Sequence, residues 1–304
     1  MYHYIKHFDK SKPYFNFLHL NDFKKQINYL SKKNSFIRII DTLEENYHKN
    51  KFLLTFDDGL KEHLNIARYL KKKNILGIFF IPTMQIEKVD FLPVHKIHLI
   101  FGKYNSVELE NIFKKYKIHI NYGKKLFTFF QKQKKFLEKK NFTSENDNKI
   151  YLKTLLNNLD QKNKHIVKKI FNFCFSEKEQ KKIFKKFYLN SYDIIELDKL
   201  GMKIGSHGYD HRVLSTLNYN QQKNDICRST RTLSKILKKE IDYFCYPYGG
   251  FKVFNRHTMR ILRKEKITYS FNVESKDWLK KSNRLYIPRY DCNEFKHGKL
   301  FKKN

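Results

Sequence analysis

Three short polar stretches of this 304-residue chain carry side chains able to hold a metal ion and to move protons. The first is Asp57-Asp58-Gly59. Adjacent side chains on extended backbone point to opposite faces, so one carboxylate can hold a metal while the other takes a proton. The second is His207-x-x-x-His211, two imidazoles one helical turn apart and able to share one ion. The third is Pro247-Tyr248-Gly249, whose Pro and Gly set a turn that can aim backbone N–H groups at a developing oxyanion. Each signal is weak alone. Asp-Asp-Gly is more often a plain turn. With 13 histidines in the chain, chance supplies about 0.6 such pairs, and His3 with His7 makes a second one. A carboxylate added to two imidazoles nevertheless gives a set with open positions for water, the arrangement of catalytic rather than structural sites.

The three stretches share a position just after a strand. Lys51 to Phe56 is an apolar run that reads as a buried strand ending at Asp57. A helix follows, with Leu60, Leu64, Ala67 and Leu70 on one face, and Ile75 to Ile81 is the next strand. Strand, helix, strand predicts an α/β domain with parallel strands, and the carboxyl ends of such strands are where active sites assemble. The alternation resumes after residue 200. Met202 to Gly205 leads into His207, Asn218 to Lys238 is helical, and Tyr243 to Tyr246 is a strand stopped by Pro247. Val253 to Lys264 reads as a helix, Thr268 to Asn272 as a strand and Leu285 to Arg289 as the last strand.

Residues 84–190 are different, with helical periodicity and no convincing strand. Leu152, Leu155, Leu156 and Leu159 form one stripe, and Ile166, Val167, Ile170, Phe171 and Cys174 another. Ser176 with Glu179 is a capping-box pattern before a further helix. Between Lys103 and Asn190 there are 22 lysines, 8 acidic residues and no arginine. The segment reads as a lysine-rich helical insertion within a single domain spanning 1–304. A lid, a membrane-surface contact and a partner dock all stay open for it.

A net charge of +33 suggests a polyanion partner, yet only 10 of the 63 basic side chains are arginine. Lysine, Asn, Ile, Phe and Tyr share AT-rich codons, and readers of phosphates and bases favour the arginine fork. The excess therefore reads as a solvated lysine surface, and no specific nucleic acid is implied. An aromatic fraction of 16% argues against a disordered chain. The apolar run Ile75–Ile81 is far short of the roughly 20 residues that a spanning helix needs. No basic region followed by an apolar stretch opens the sequence, so the expected location is cytoplasmic. Four scattered cysteines with no CxxC pair indicate neither a disulfide framework nor a cysteine zinc site.

In combination the motifs are specific. Thr55-Phe56-Asp57-Asp58-Gly59, His207-x-x-x-His211 and Tyr246-Pro247-Tyr248-Gly249 resemble the polysaccharide deacetylases of the NodB-homology type, carbohydrate esterase family 4. Gly77 to Thr83 is similar to that family's second strand, and the resemblance covers roughly residues 1–83 and 195–291. It implies a distorted (β/α) barrel and metal-dependent hydrolysis of N-acetyl groups, with O-acetyl as second choice, on an envelope or surface polysaccharide or its precursor. It further implies Asp57 as general base, Asp58, His207 and His211 as metal ligands, and the Tyr248 N–H as oxyanion donor. Zinc is the first-choice metal, and cobalt, nickel and iron also suit the set.

The sequence departs from the family pattern in four places. Gly208 stands where Ser or Thr usually follows the first His, and Cys245 where an Arg usually lies two residues before the Pro. Arg289 is the candidate to restore that cation beside Asp57. Asp277-Trp278 is only loosely similar to the fourth motif, and the late Leu-x-His that supplies the usual acid is absent. Met1-Tyr2-His3 resembles the Tyr-His on the first strand of deacetylases from exopolysaccharide pathways, where that His can serve as the acid. His3 is therefore the candidate acid, with His7 as its competitor. A second reading, from another class, is a catalytically degenerate glycan-binding protein on the same fold. The intact Asp57, Asp58, His207 and His211 count against it.

Overall fold

The computed structural model describes residues 1–33, 35–38, 51–115, 131, 147–162, 165–250, 252–278 and 283–301. The described chain forms two compact units. The first gathers residues 1–5, 24–90 and 186–292, and contains every candidate site residue except His7, the competitor for the acid.

At the centre of this unit is a five-stranded parallel sheet: β1 (Leu54–Phe56), β2 (Gly77–Ile81), β3 (Lys203–Ser206), β4 (Tyr243–Cys245) and β5 (Tyr269–Phe271), ordered in space as in sequence. All five residues of β2 are buried, as expected of a parallel strand covered on both faces. Ile78 and Phe80 turn toward a core cluster with Cys245, Tyr269, Phe271 and Ile287. On the opposite face, Phe79 stacks on Phe56 at 4.6 Å between centroids. Gly205 on β3 leaves room for Phe80, because a Cβ there would sit 2.5 Å from its ring.

Single pairings extend the sheet at both edges. Tyr2 bridges Phe56 and Ile287 bridges Phe271, both in parallel. The two edges then meet. The Met1 ammonium donates to the Tyr290 carbonyl (2.6 Å), and the Cys292 N–H donates to the Met1 carbonyl (3.2 Å). Gln26 ties the junction, accepting from the Tyr2 hydroxyl (2.7 Å) and donating to the Cys292 carbonyl (2.8 Å). The outcome is the curled, distorted α/β barrel that the sequence predicts.

Four helices lie around the sheet: α1 (His63–Lys72), α2 (Ser191–Lys199), α3 (Tyr219–Leu237) and α4 (Arg256–Lys264), each packed against the next. Three of them begin at a capping box: Asn190 with Asp193, Asn218 with Gln221, and Asn255 with Thr258. The last cap corrects the expected helix from Val253, because Asn255 satisfies the N–H groups of His257 and Thr258 and starts the helix at Arg256. Leu60 also lies outside its predicted helix, bridging Tyr188 while the helix begins at His63. The expected strand Lys51–Phe56 is two short pieces, Lys51–Phe52 and Leu54–Phe56, in different sheets. The expected strand Leu285–Arg289 is reduced to the single bridge at Ile287, since Pro288 has no N–H to continue the ladder.

The second unit gathers residues 6–23, 91–185 and 293–304. Its described helices include Pro93–Lys103, Ser106–Lys115, Asp147–Lys162 and His165–Cys174. Leu152, Leu155 and Leu156 are buried, as are Val167, Ile170, Phe171 and Cys174, so both predicted stripes are core faces. The side chain of Leu159 and residues 116–130 and 132–146 of the lysine-rich segment lie outside the described residues. Ser176 and Glu179 make the predicted capping box, with the Ser176 N–H donating to Glu179 (2.8 Å) and the Glu179 N–H to the Ser176 hydroxyl (3.3 Å). No helix among the described residues is long and apolar enough to cross a membrane.

Candidate active site

The site sits at the carboxyl ends of β1, β3 and β4. Asp57 and Asp58 directly follow β1, His207 and His211 follow β3, and Tyr248 follows β4. Asp58, His211 and Tyr248 all have left-handed backbone, with φ of 79°, 56° and 64°. Such geometry in non-glycine residues costs on the order of 1–3 kcal/mol each and concentrates where a site must be shaped.

His207 Nε2 and His211 Nε2 lie 3.6 and 3.5 Å from Asp58 Oδ1. All three residues are buried, and their ligand atoms fall within 4.8 Å of one another. His207 Nδ1 donates to the Cys245 carbonyl (2.8 Å). That bond fixes the tautomer and turns the unprotonated Nε2 toward Asp58, as a metal-binding imidazole requires. Burial lowers the His207 pKa despite the neighbouring Asp57 and Asp58, so the imidazole is held in its ligating, neutral form. One hard carboxylate with two imidazoles fits zinc and its divalent neighbours.

Asp57 lies beside this cluster and is occupied differently. Arg289 grips it bidentately, Nη1 to Oδ1 and Nη2 to Oδ2, both at 2.8 Å. Arg289 is itself held by the Asn272 carbonyl at Nε (2.8 Å) and the Thr55 hydroxyl at Nη1 (3.1 Å). Cys245 Sγ sits 3.0 Å from Arg289 Nη2 and 3.6 Å from Asp57 Oδ2. Burial would raise the Asp57 pKa, but the charge and hydrogen bonds of Arg289, with His207 and His3, outweigh it and hold the carboxyl well below its usual range. Asp57, His207 and Cys245 also come within ligand distance of one another. An ion there would have to displace Arg289 from Asp57, and burial pushes the Cys245 thiol up, away from the thiolate a metal needs.

His3 Nε2 stands 3.8 Å from Asp57 Oδ2, with its side chain 39% exposed. Its backbone carbonyl accepts from His63 Nε2 (2.8 Å), and burial lowers the His63 pKa to about 4, which keeps that ring neutral. Its competitor His7 packs edge-on against His19 instead, 5.2 Å between centroids. The Tyr248 ring lies 4.7 Å from the His211 ring. Trp278 packs on the core beside Tyr269. The structure thus brings together Asp57, Arg289 and His3 in one group, and Asp58, His207, His211 and Tyr248 in the adjoining one.

Asp225 was not singled out from the sequence. It lies on α3 and accepts from the backbone N–H groups of Tyr209 (3.1 Å) and Asp210 (3.4 Å). Burial, then the Asp210 carboxyl, raises its pKa to about 7. The available signal was a carboxylate on the buried face of an amphipathic helix, in line with Gln222, Ile226 and Ser229.

Residues 159–270 match the family model described as polysaccharide deacetylase. That segment holds the His207, His211 and Pro247 motifs but not Asp57 and Asp58. No curated protein sequence matches the chain significantly. Among solved structures, it is similar to the Streptococcus pyogenes deacetylase PplD in complex with acetate, at 14% identity and a TM-score of 0.55, covering 95% of this chain and 88% of that one. It is also similar to IcaB from Ammonifex degensii, at 17% identity and a TM-score of 0.52, covering 94% and 88%. A de-N-acetylase from Aggregatibacter actinomycetemcomitans aligns at 15% identity and a TM-score of 0.52, covering 95% and 91%. At such identities the likeness is one of fold. Residues 159–270 thus match the polysaccharide deacetylase family model, and the chain as a whole shares its fold with solved deacetylases.

Proposed function

We propose that this protein is a metal-dependent deacetylase that hydrolyses N-acetyl groups of an envelope or surface glycan or of its precursor. The observation that carries this reading is the buried convergence of Asp58, His207 and His211 beside an ionised, arginine-held Asp57. The naming of one structural neighbour as a de-N-acetylase favours N- over O-acetyl groups.

In this reading Asp58, His207 and His211 hold a divalent cation, zinc by first choice. When bound, such an ion supplies Lewis acidity, which polarises a carbonyl and eases ionisation of water. Asp57 takes a proton from the attacking water. Arg289 keeps the Asp57 carboxyl ionised and fixes its orientation. The backbone N–H of Tyr248, set by its left-handed turn, donates to the oxygen that becomes negative as the acetyl carbon turns tetrahedral. His3 protonates the departing amine, and the products are acetate and the free amino sugar.

Acetate release from a panel of acetylated sugars and lipid- or nucleotide-linked precursors tests the function, with metal restored after chelation. No release from any substrate under metal repletion would remove the reading. The ligand set has its own test. His207→Ala should lose stoichiometric metal on elemental analysis, and retention of one ion per chain would overturn the assignment.

The acid is separable from the rest. Expulsion of an amine requires a proton, whereas an activated ester has a leaving group that needs none. His3→Ala should keep its metal and lose amide hydrolysis by about 100-fold, with a much smaller loss on an acetyl ester of a nitrophenol. Equal losses on both substrates, or none on either, would assign the acid elsewhere.

A further inference from the structure

The loop His207–His211 holds two of the three candidate ligands, and its shape is unusual. Gly208 has φ of 74° and His211 φ of 56°. A left-handed histidine persists only where its surroundings over-determine it, so the contacts that impose the shape can be identified.

The loop's N–H groups can be followed one by one. His207 donates to the Ile81 carbonyl (3.1 Å), and Gly208 to the Ser206 hydroxyl (3.2 Å). Tyr209 and Asp210 both donate to the carboxylate of Asp225, one to each oxygen. On the other side the Gly208 and Tyr209 carbonyls accept from Thr83 (3.3 Å) and Met84 (2.9 Å), in the turn that follows β2. Thus the turn after β2 holds the loop by two of its carbonyls, and α3 holds it by two of its N–H groups through one side chain. Nearby on α3, Ser229 takes the Ser206 hydroxyl (2.7 Å), and the Arg228 guanidinium lies 4.0 Å over the Tyr209 ring while bonded to Glu87 (3.0 Å).

Asp225 is buried, and Gly208 is what admits it. A Cβ at position 208 would lie 2.6 Å from Asp225 Oδ1, closer than real Cβ atoms come. The glycine and the carboxylate therefore form one device: the first vacates the space and the second fills it with two acceptors.

We propose that Asp225 is a positioning residue, fixing the backbone of residues 208–210 and thereby presenting His211 to the ion shared with Asp58 and His207. This rests on the metal reading above, and deepens it by naming a residue that sets metal affinity without touching the metal. It acts through the loop backbone, not through the reacting atoms.

The test uses the full chain, stripped by chelation and titrated with Co2+ alone, followed by calorimetry and by the visible d–d bands. Asp225→Ala should weaken Co2+ binding about 10- to 100-fold and alter the band pattern, because His211 is no longer held in place. Asp225→Asn keeps one acceptor oxygen but sets an NH2 against the other loop N–H, so its loss should fall between the parent and Asp225→Ala. Asp225→Ala binding Co2+ with parent affinity and bands overturns the proposal alone. A parent chain that binds no Co2+ overturns the metal reading, and this proposal with it. Should Asp225→Ala fail to fold, Gly208→Ala carries the test, since its added Cβ displaces the carboxylate from the loop. It should weaken Co2+ binding at least about tenfold, and a folded Gly208→Ala with unchanged binding overturns the proposal.

Discussion

Asp57→Asn is expected to lower the rate of acetate release by about 10²- to 10⁴-fold while leaving the metal in place. The proposed ligands Asp58, His207 and His211 are separate from the Asp57 carboxylate, whereas the proposed proton abstraction requires it. The geometry sharpens the expectation. Arg289 engages both Asp57 oxygens at 2.8 Å, and its charge keeps the carboxyl ionised despite full burial. An amide at this position retains an acceptor for Arg289 but cannot take a proton. The comparison requires elemental analysis and kinetics on the same folded sample. A near-normal rate with metal retained would move the base elsewhere, and loss of metal would show that Asp57 belongs to the ligand set.

Arg289→Met should be among the most destabilising single changes in the barrel, by about 3–5 kcal/mol, because it leaves a buried carboxylate without its counter-charge. Arg289 and Asp57 side chains are 4% and 3% exposed, so water cannot substitute for the lost partner. The double variant Asp57→Asn with Arg289→Met should be more stable than Arg289→Met alone, since it buries no charge. Urea denaturation of the three chains decides the matter, and a double variant less stable than Arg289→Met would refute the electrostatic account. The pH dependence has a definite sign. The folded-state pKa of Asp57 lies below its unfolded value of about 3.9. The pair's contribution is therefore present above that value and is lost as pH falls below it. Arg289→Met should flatten this acid limb of the stability profile.

Much of the barrel was legible because its signals are local. Apolar runs at Leu54–Phe56 and Gly77–Ile81 fold into neighbouring parallel strands. Asn218 and Lys238, the limits read for the long helix, are its N-cap and its left-handed C-cap. The convergence of Asp58 with His207 was legible for the same reason: they sit one or two residues beyond a strand, and strand ends in this architecture converge. Boundaries failed where a side chain overrode periodicity, as at Asn255, or where a proline removed a donor, as at Pro288.

What the amino-acid order determined by itself was therefore the elements, and which chemical groups stand at their ends. Tertiary structure decided which of those groups meet. Arg289 reaches Asp57 across 232 residues only because the segment carrying it returns to the edge of the barrel next to Met1. The same edge of the barrel puts His3 beside that carboxylate. Asp225 finds the His207–His211 loop because α3 packs over β3, and because Gly208 leaves a space shaped for a carboxylate. Periodicity reports which face of an element is apolar. It carries no information on which buried polar group faces another across the core, since that is set by strand register and by how the barrel closes.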